Sequence, residues 1–181
     1  IYMISMSDHP ISLMYQREVE PSWKDYNLKK FEAVTPKDLY NKHKLDFGTL
    51  SKRDFTSTEI SVWYSHFELW CKCVRENKEL VVIEHDSKLI KKLPKTYAGI
   101  QFLSFINRDY GNKGVHLAPG SGYRIGPKEA ERLVAKAVSN TIHLNSDGFL
   151  GRTFYNVWKD QNKKKNYKYI EQINFDGLNT I

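Results

Sequence analysis

A chain of 181 residues, 40% hydrophobic and 13% aromatic, has the composition of one folded domain with a real core, which excludes a disordered chain. Its formal net charge of +7 permits a polyanionic partner without demanding one. No run approaches the roughly 18 apolar residues of a membrane span, and Ile1–Ser5 reads as a strand, without the basic start of a signal peptide. Cys71 and Cys73 stand two apart on a predicted helix, facing different ways, so neither a disulfide nor a shared metal is expected. Ordinary thiols point to a reducing compartment, with the cytoplasm as the default.

In chain order, Ile1–Met6 predicts an opening strand halted by Ser7-Asp8-His9-Pro10. A polar, partly helical segment follows through Arg17 and Trp23. Leu28–Val34 alternates apolar and polar and stops before Thr35-Pro36, a second strand, while residues 37–56 read as a loop or irregular insert. Thr56 and Glu59 spell a capping box, and Ile60, Trp63, Tyr64, Phe67, Trp70, Cys71 and Val74 then recur at helical spacing as one wide apolar stripe. That helix passes through Glu76-Asn77-Lys78 into the apolar strand Leu80–Ile83, half of a parallel crossover.

Gln101–Ile106 predicts another strand, and Val115–Ala118 and Tyr123–Ile125 two short ones about Pro119-Gly120-Ser121-Gly122. Gly126-Pro127 opens a second helix, with the stripe Ala130, Leu133, Val134, Ala137 and Val138. Thr141–Leu144 reads as a brief strand delivering Asn145-Ser146-Asp147-Gly148. From Gly151 onward the chain is aromatic and basic, with an alternating strand through Phe154, Asn156 and Trp158 and an ordered extension. Without internal repeat or linker, residues 1–181 are expected to form a single domain with a basic aromatic extension over 151–181.

Two patterns carry chemistry. The strand from Leu80 ends in Glu84-His85-Asp86. Ligands collect at the carboxyl ends of strands in open α/β sheets, and an acid-x-acid pair there can hold a divalent cation and, through it, a diphosphate. Glu18/Glu20 and Glu129/Glu131 share the spelling but not the placement, and a solvated turn is the bland alternative. Near the C-terminus, Lys159, Lys163, Lys164, Lys165 and Lys168 interleave with Trp158, Tyr167 and Tyr169. Such a segment can grip phosphates and stack on bases, unless it is simply a solvated lysine-rich face.

Five separated segments resemble one family. Thr58-Glu59-Ile60-Ser61-Val62-Trp63-Tyr64-Ser65-His66-Phe67-Glu68-Leu69-Trp70 is similar to the "GEIGCALSH…LW" helix of glycosyltransferase family 25, and Val81–Asp86 to its strand and "LEDD" motif. Phe31-Glu32-Ala33-Val34 resembles "FFDAV", Gly120–Ala130 resembles "TGAYLISRKGA", and Ser146-Asp147-Gly148-Phe149-Leu150 resembles "PVDxxL". The matches keep their order over residues 1 to about 150. The family's middle acid is replaced by His85, an Glu-His-Asp variant associated with bacteriophage-encoded members.

The resemblance implies an α/β, GT-A-like nucleotide-binding fold, with a mixed, mostly parallel central sheet flanked by helices. It also implies a nucleotide-sugar donor and a divalent metal, manganese or magnesium. Asp86 would hold the metal, with His85 offering a nitrogen ligand or Glu84 assisting. Asp147 is the candidate base of an inverting transfer, or else part of an Asx turn. Ser5, Ser7 and Asp8 follow the first strand, where such folds bind the donor, and Ser65, His66 and Glu84 complete the donor set. A strand-to-loop cap and a satisfied buried histidine are the plain alternatives. Arg124, Arg152, Lys163, Lys164 and Lys165 are the acceptor-binding candidates, Arg124 otherwise being an ordinary strand arginine. The basic tail and the Glu-His-Asp triplet favour a hydroxymethylated base in DNA as acceptor. A glycan or lipooligosaccharide is the alternative, and an inactive nucleic-acid-binding module a further one.

Overall fold

The computed structural model describes residues 1–42, 45–50, 53–95, 99–109, 115–119, 122–162 and 168–173. Strand β1 (Tyr2–Ser5) leads through helix α1 (Pro10–Val19) and a 3-10 turn (Glu20–Trp23) to β2 (Lys29–Glu32), which lies parallel to β1. A 3-10 turn (Pro36–Asn41) and the tiny hairpin β3 (Thr49–Leu50) and β4 (Arg53–Asp54) occupy the expected irregular insert. Helix α2 (Ser57–Glu76) then crosses to β5 (Leu80–Glu84), parallel to β1 on its other side. The capping box is formed: Glu59 donates its N–H to Thr56 Oγ1 at 3.2 Å, and Thr56 donates its own to Glu59 Oε2 at 2.9 Å. Asn77 ends the helix in the left-handed region, at φ 48°.

Beyond β5 come β6 (Ser87–Leu89), β7 (Ile100–Phe102), the hairpin β8 (Phe105–Asp109) and β9 (Val115–Pro119), and β10 (Gly122–Ile125). The central sheet runs β2-β1-β5-β10-β7, with only β10 reversed, so it is mixed and mostly parallel. Helices α3 (Pro127–Ser139), α4 (Ser146–Thr153) and α5 (Tyr155–Asn162) follow, and β11 (Ile170–Gln172) returns to pair with β6.

The two faces of the sheet carry separate cores. Ile4, Leu80, Val82 and Tyr123 pack under α2 and α3 with Trp63 and Trp70, while Met3, Val81 and Ile83 meet Val19, Trp23 and Ile170 on the other face. This division follows from strand alternation, since the central strands β1 and β5 are buried on both sides. Gly122 sits where β11 crosses the sheet: a Cβ there would lie 2.8 Å from Ile170 Cδ1 and 3.0 Å from the Val82 carbonyl.

Three local expectations are corrected. Gln101–Ile106 is not one strand, because the chain leaves the sheet at Leu103, which donates to the Gly122 carbonyl, and Phe105 starts the separate hairpin. Among the described residues Thr141–Leu144 forms only a single bridge, Ile142 to Phe47, rather than a strand. The segment through Phe154, Asn156 and Trp158 is helical rather than extended. Phe154, Val157 and Gln161 fit the helical period equally well. Gln161 uses that spacing to cover the edge of β7, accepting from Phe102 N at 3.1 Å and donating to the Ile100 carbonyl at 3.3 Å.

Candidate donor cleft at the strand crossing point

From β1 the chain winds to β2 through α1 on one face, then back to β5 through α2 on the other. The two crossovers part at the carboxyl ends of β1 and β5, which is where a doubly wound sheet leaves a crevice. A cleft of about 350 Å³ opens there, a size suited to a small ligand. Ile4, Met6 and His9 border it from the β1 end, Ala33 to Pro36 from the β2 end, Thr58 to His66 from α2, and Glu84 and His85 from the β5 end.

Its walls are pinned by side chains. Ser12 Oγ accepts from Met6 N at 3.0 Å, and Gln16 reaches both Ser12 Oγ and the Met6 carbonyl. Ser65, fully buried, accepts from Val34 N at 2.9 Å and donates to the Ser61 carbonyl at 3.0 Å, fastening the end of β2 to α2. Its hydroxyl proton is therefore already engaged.

Behind the cleft runs a buried polar chain. Tyr123 Oη accepts from Trp70 Nε1 at 2.7 Å and directs its single proton to His66 Nδ1 at 3.0 Å. In this arrangement His66 Nε2 is aimed at Glu84 Oε1 3.8 Å away, which is too long for a direct hydrogen bond. His66 Nε2 has no closer partner. Burial opposes ionisation of Glu84, but the adjacent His66 and then His85 together outweigh it and hold the carboxyl below its usual range. Burial lowers the pKa of His85, whose ring lies 5.4 Å from that of Tyr15.

Asp86 is buried one residue beyond the lining of the cleft. Its Oδ2 accepts from Gln172 Nε2 at 2.7 Å, and its Oδ1 is buried with no partner among the described residues. Burial, and then the charge of Glu84, push its pKa up to about 6. An orphaned carboxylate oxygen beside a second carboxylate suits a divalent cation. Among the described residues no group of His, Cys, Asp or Glu large enough to enclose a metal alone is found. The donor set fits a cation held by few side chains and completed by phosphate oxygens and water, as magnesium is commonly bound.

The remaining candidates scatter. Ser5 is buried on the same face of β1 as Met3, whereas Ser7 and Asp8 are exposed, Ser7 giving its N–H to Glu32. None of these borders the cleft, although Met6 and His9 of the same loop do. Asp147 lies in the first turn of α4, not in a turn after a strand. Asn145 caps that helix by accepting from Gly148 N at 2.9 Å, and Trp63 Nε1 binds the Leu144 carbonyl at 2.9 Å. Tyr123 packs in the core under α2, where its hydroxyl feels the charges of Asp147 and Glu84. Arg124 is held at the far end of β10 by Glu79 and the Pro94 carbonyl. Arg152 is exposed at the end of α4, and Lys163, Lys164 and Lys165 lie outside the described residues.

Sequence reasoning missed the roles of Tyr123, Trp70 and Gln172. The first two read as ordinary core aromatics. Gln172 is 86 positions from Asp86, with no local signal linking them.

A mixed, mostly parallel sheet with helices on both faces and a crossing-point cleft lined by a carboxylate and histidines is an α/β architecture consistent with a glycosyltransferase fold. The model of glycosyltransferase family 25, described as an LPS biosynthesis protein, matches residues 1–113, and the chain belongs to that family. The matched stretch contains β1, β2, α2 and the Glu84-His85-Asp86 turn, while Gly120–Ala130 and Ser146–Leu150 lie beyond it. No curated protein matches the chain. Among the described residues no helix is long and apolar enough to cross a membrane.

Proposed function

We propose that the chain moves a sugar from a nucleoside-diphosphate donor, seated in the cleft, to a hydroxyl of a glycan acceptor. The observation carrying this reading is the pairing of that cleft with a buried, unsatisfied Asp86 oxygen next to Glu84. Asp86, with Glu84 and His85 beside it, would hold a divalent cation, manganese or magnesium, which when bound neutralises the diphosphate. His66, fixed by Tyr123 and Trp70, faces Glu84 across 3.8 Å and favours its ionised form. Asp147 accepts the acceptor's hydroxyl proton as that oxygen bonds to the anomeric carbon. The bond from that carbon to the diphosphate breaks, and its electron pair leaves with the phosphate oxygen.

A glycan is the favoured acceptor because the family's description concerns LPS synthesis. The case for a DNA base rests on the basic aromatic tail, whose Lys163, Lys164 and Lys165 lie outside the described residues, and on the Glu-His-Asp triplet. The test is thermal stability against a panel of nucleotide sugars, with and without manganese. Metal-dependent stabilisation of the wild type, absent from Asp86→Asn, supports the donor site. Asp147→Asn should keep that stabilisation and lose transfer. No shift with any donor would instead favour an inactive binding module.

A further inference from the structure

A second groove, of about 430 Å³, lies away from the cleft, where the end of α4 and the start of α5 meet α3. Arg132 and Arg152 border it, with Phe154 and Tyr155. The Arg132 guanidinium lies 5.6 Å from the centre of the Phe154 ring, which fixes its position. Next to it, Lys136 Nζ donates to Thr153 Oγ1 at 3.1 Å and lies 5.3 Å from the Phe149 ring centre.

These cations are mutually unfavourable. Arg132 and Lys136 are four apart on α3, a like-charge spacing that weakens a helix. Burial lowers the pKa of Lys136, and the charges of Arg132 and Arg152 lower it further. Elsewhere Lys30, Lys42, Arg53, Lys72, Lys88 and Arg124 each have a carboxylate partner. Among the described residues no carboxylate pairs with Arg132, Lys136 or Arg152. An oxyanion between them would relieve the repulsion, and guanidinium forks match phosphate and carboxylate oxygens in two-point geometry.

We infer that Arg132, Lys136 and Arg152 form a subsite for an anionic group, a phosphate monoester or a carboxylate, on the acceptor saccharide. Assigning it to the acceptor rests on the proposed role of Asp147. Arg152 follows Asp147 on the same helix by five residues, a rise of about 7.5 Å. The anion would then be held at the other end of α4 from the accepting hydroxyl, with the exposed ring of Tyr155 offering a face for the sugar between.

The test uses the full chain and a fluorescent oligosaccharide carrying one phosphate monoester, with a neutral twin and a twin bearing a uronic carboxylate. Fluorescence anisotropy should show the phosphorylated or the carboxylated probe binding about ten- to hundredfold more tightly than the neutral one. Whichever anionic probe binds identifies the group. The exposed substitutions Arg132→Gln and Arg152→Gln should remove that preference together, and Lys136→Gln should reduce it. Equal binding of all three probes, or an anion preference that survives the double variant, overturns the proposal. So does stronger competition from a short DNA duplex than from the unlabelled phosphorylated saccharide. Donor-induced thermal stabilisation is read separately. Its absence from the wild type removes the transferase reading but leaves the measured anion preference standing.

Discussion

Replacing Tyr123 with phenylalanine removes one oxygen from a site that is 1% exposed. That oxygen joins Trp70 Nε1 at 2.7 Å to His66 Nδ1 at 3.0 Å, so both nitrogens lose their partner while the ring stays in place. A buried polar group left unpaired costs about 1–3 kcal/mol, giving about 2–6 kcal/mol for the two together. For a domain of this size each kcal/mol moves the melting temperature by about 2–4 °C, so a loss of about 3 kcal/mol lowers it by about 6–12 °C. Urea unfolding at neutral pH measures the free energy directly. Nitrogen-15 spectra of the imidazoles should show the Nε2–H form of His66 in the wild type and a tautomer mixture in Tyr123→Phe. A loss below about 1 kcal/mol, with an unchanged His66 tautomer, would refute the reasoning, because it would mean that the hydroxyl neither satisfies the two nitrogens nor sets the ring.

Other outcomes follow from the same contacts. The carboxyl of Glu59 is lowered to about 2 by its hydrogen bonds to Arg53 and Thr56. Its contribution is fully present above its ordinary value of 4.5 and is lost as pH falls toward 2, so Glu59→Gln should be less stable at pH 7 and match the wild type at the acid end. Because the pair is largely exposed, the gap at pH 7 is about 1 kcal/mol or less. A gap independent of pH in acid titrations of the melting temperature would contradict this. The Cys73 thiol, pushed up to about 11 by burial, donates to the Lys78 carbonyl at 3.0 Å. Iodoacetamide should therefore label the half-buried Cys71 first and Cys73 only on unfolding, as read by peptide mass spectrometry. Asn77→Val should cost about 1–2 kcal/mol in urea unfolding because Asn77 holds φ 48°, whereas Asn77→Gly should cost far less.

The elements that the sequence by itself determined are those governed by neighbours in the chain. The capping box at Thr56 and Glu59, the aromatic stripe of α2, the proline-led start of α3 and the apolar run of β5 are local patterns, and each forms the expected element. Because α2 follows a strand and feeds another, the parallel crossover was legible, and with it a crevice near Glu84 and His85. Short segments without such dominance were settled by distant partners. Ile142 finds one bridging residue instead of a strand, and Gln161 turns its segment into a helical cover for β7.

Tertiary structure alone decided what surrounds the acids. Glu84 faces His66, which is hydrogen-bonded to Tyr123, and Asp86 is joined to Gln172 from the far end of the chain. Hydrogen bonds between residues that are 57 or 86 positions apart leave no periodic trace, because their geometry exists only after the sheet has assembled. The grouping of Arg132, Lys136 and Arg152 arises the same way, from the packing of α4 and α5 beside α3.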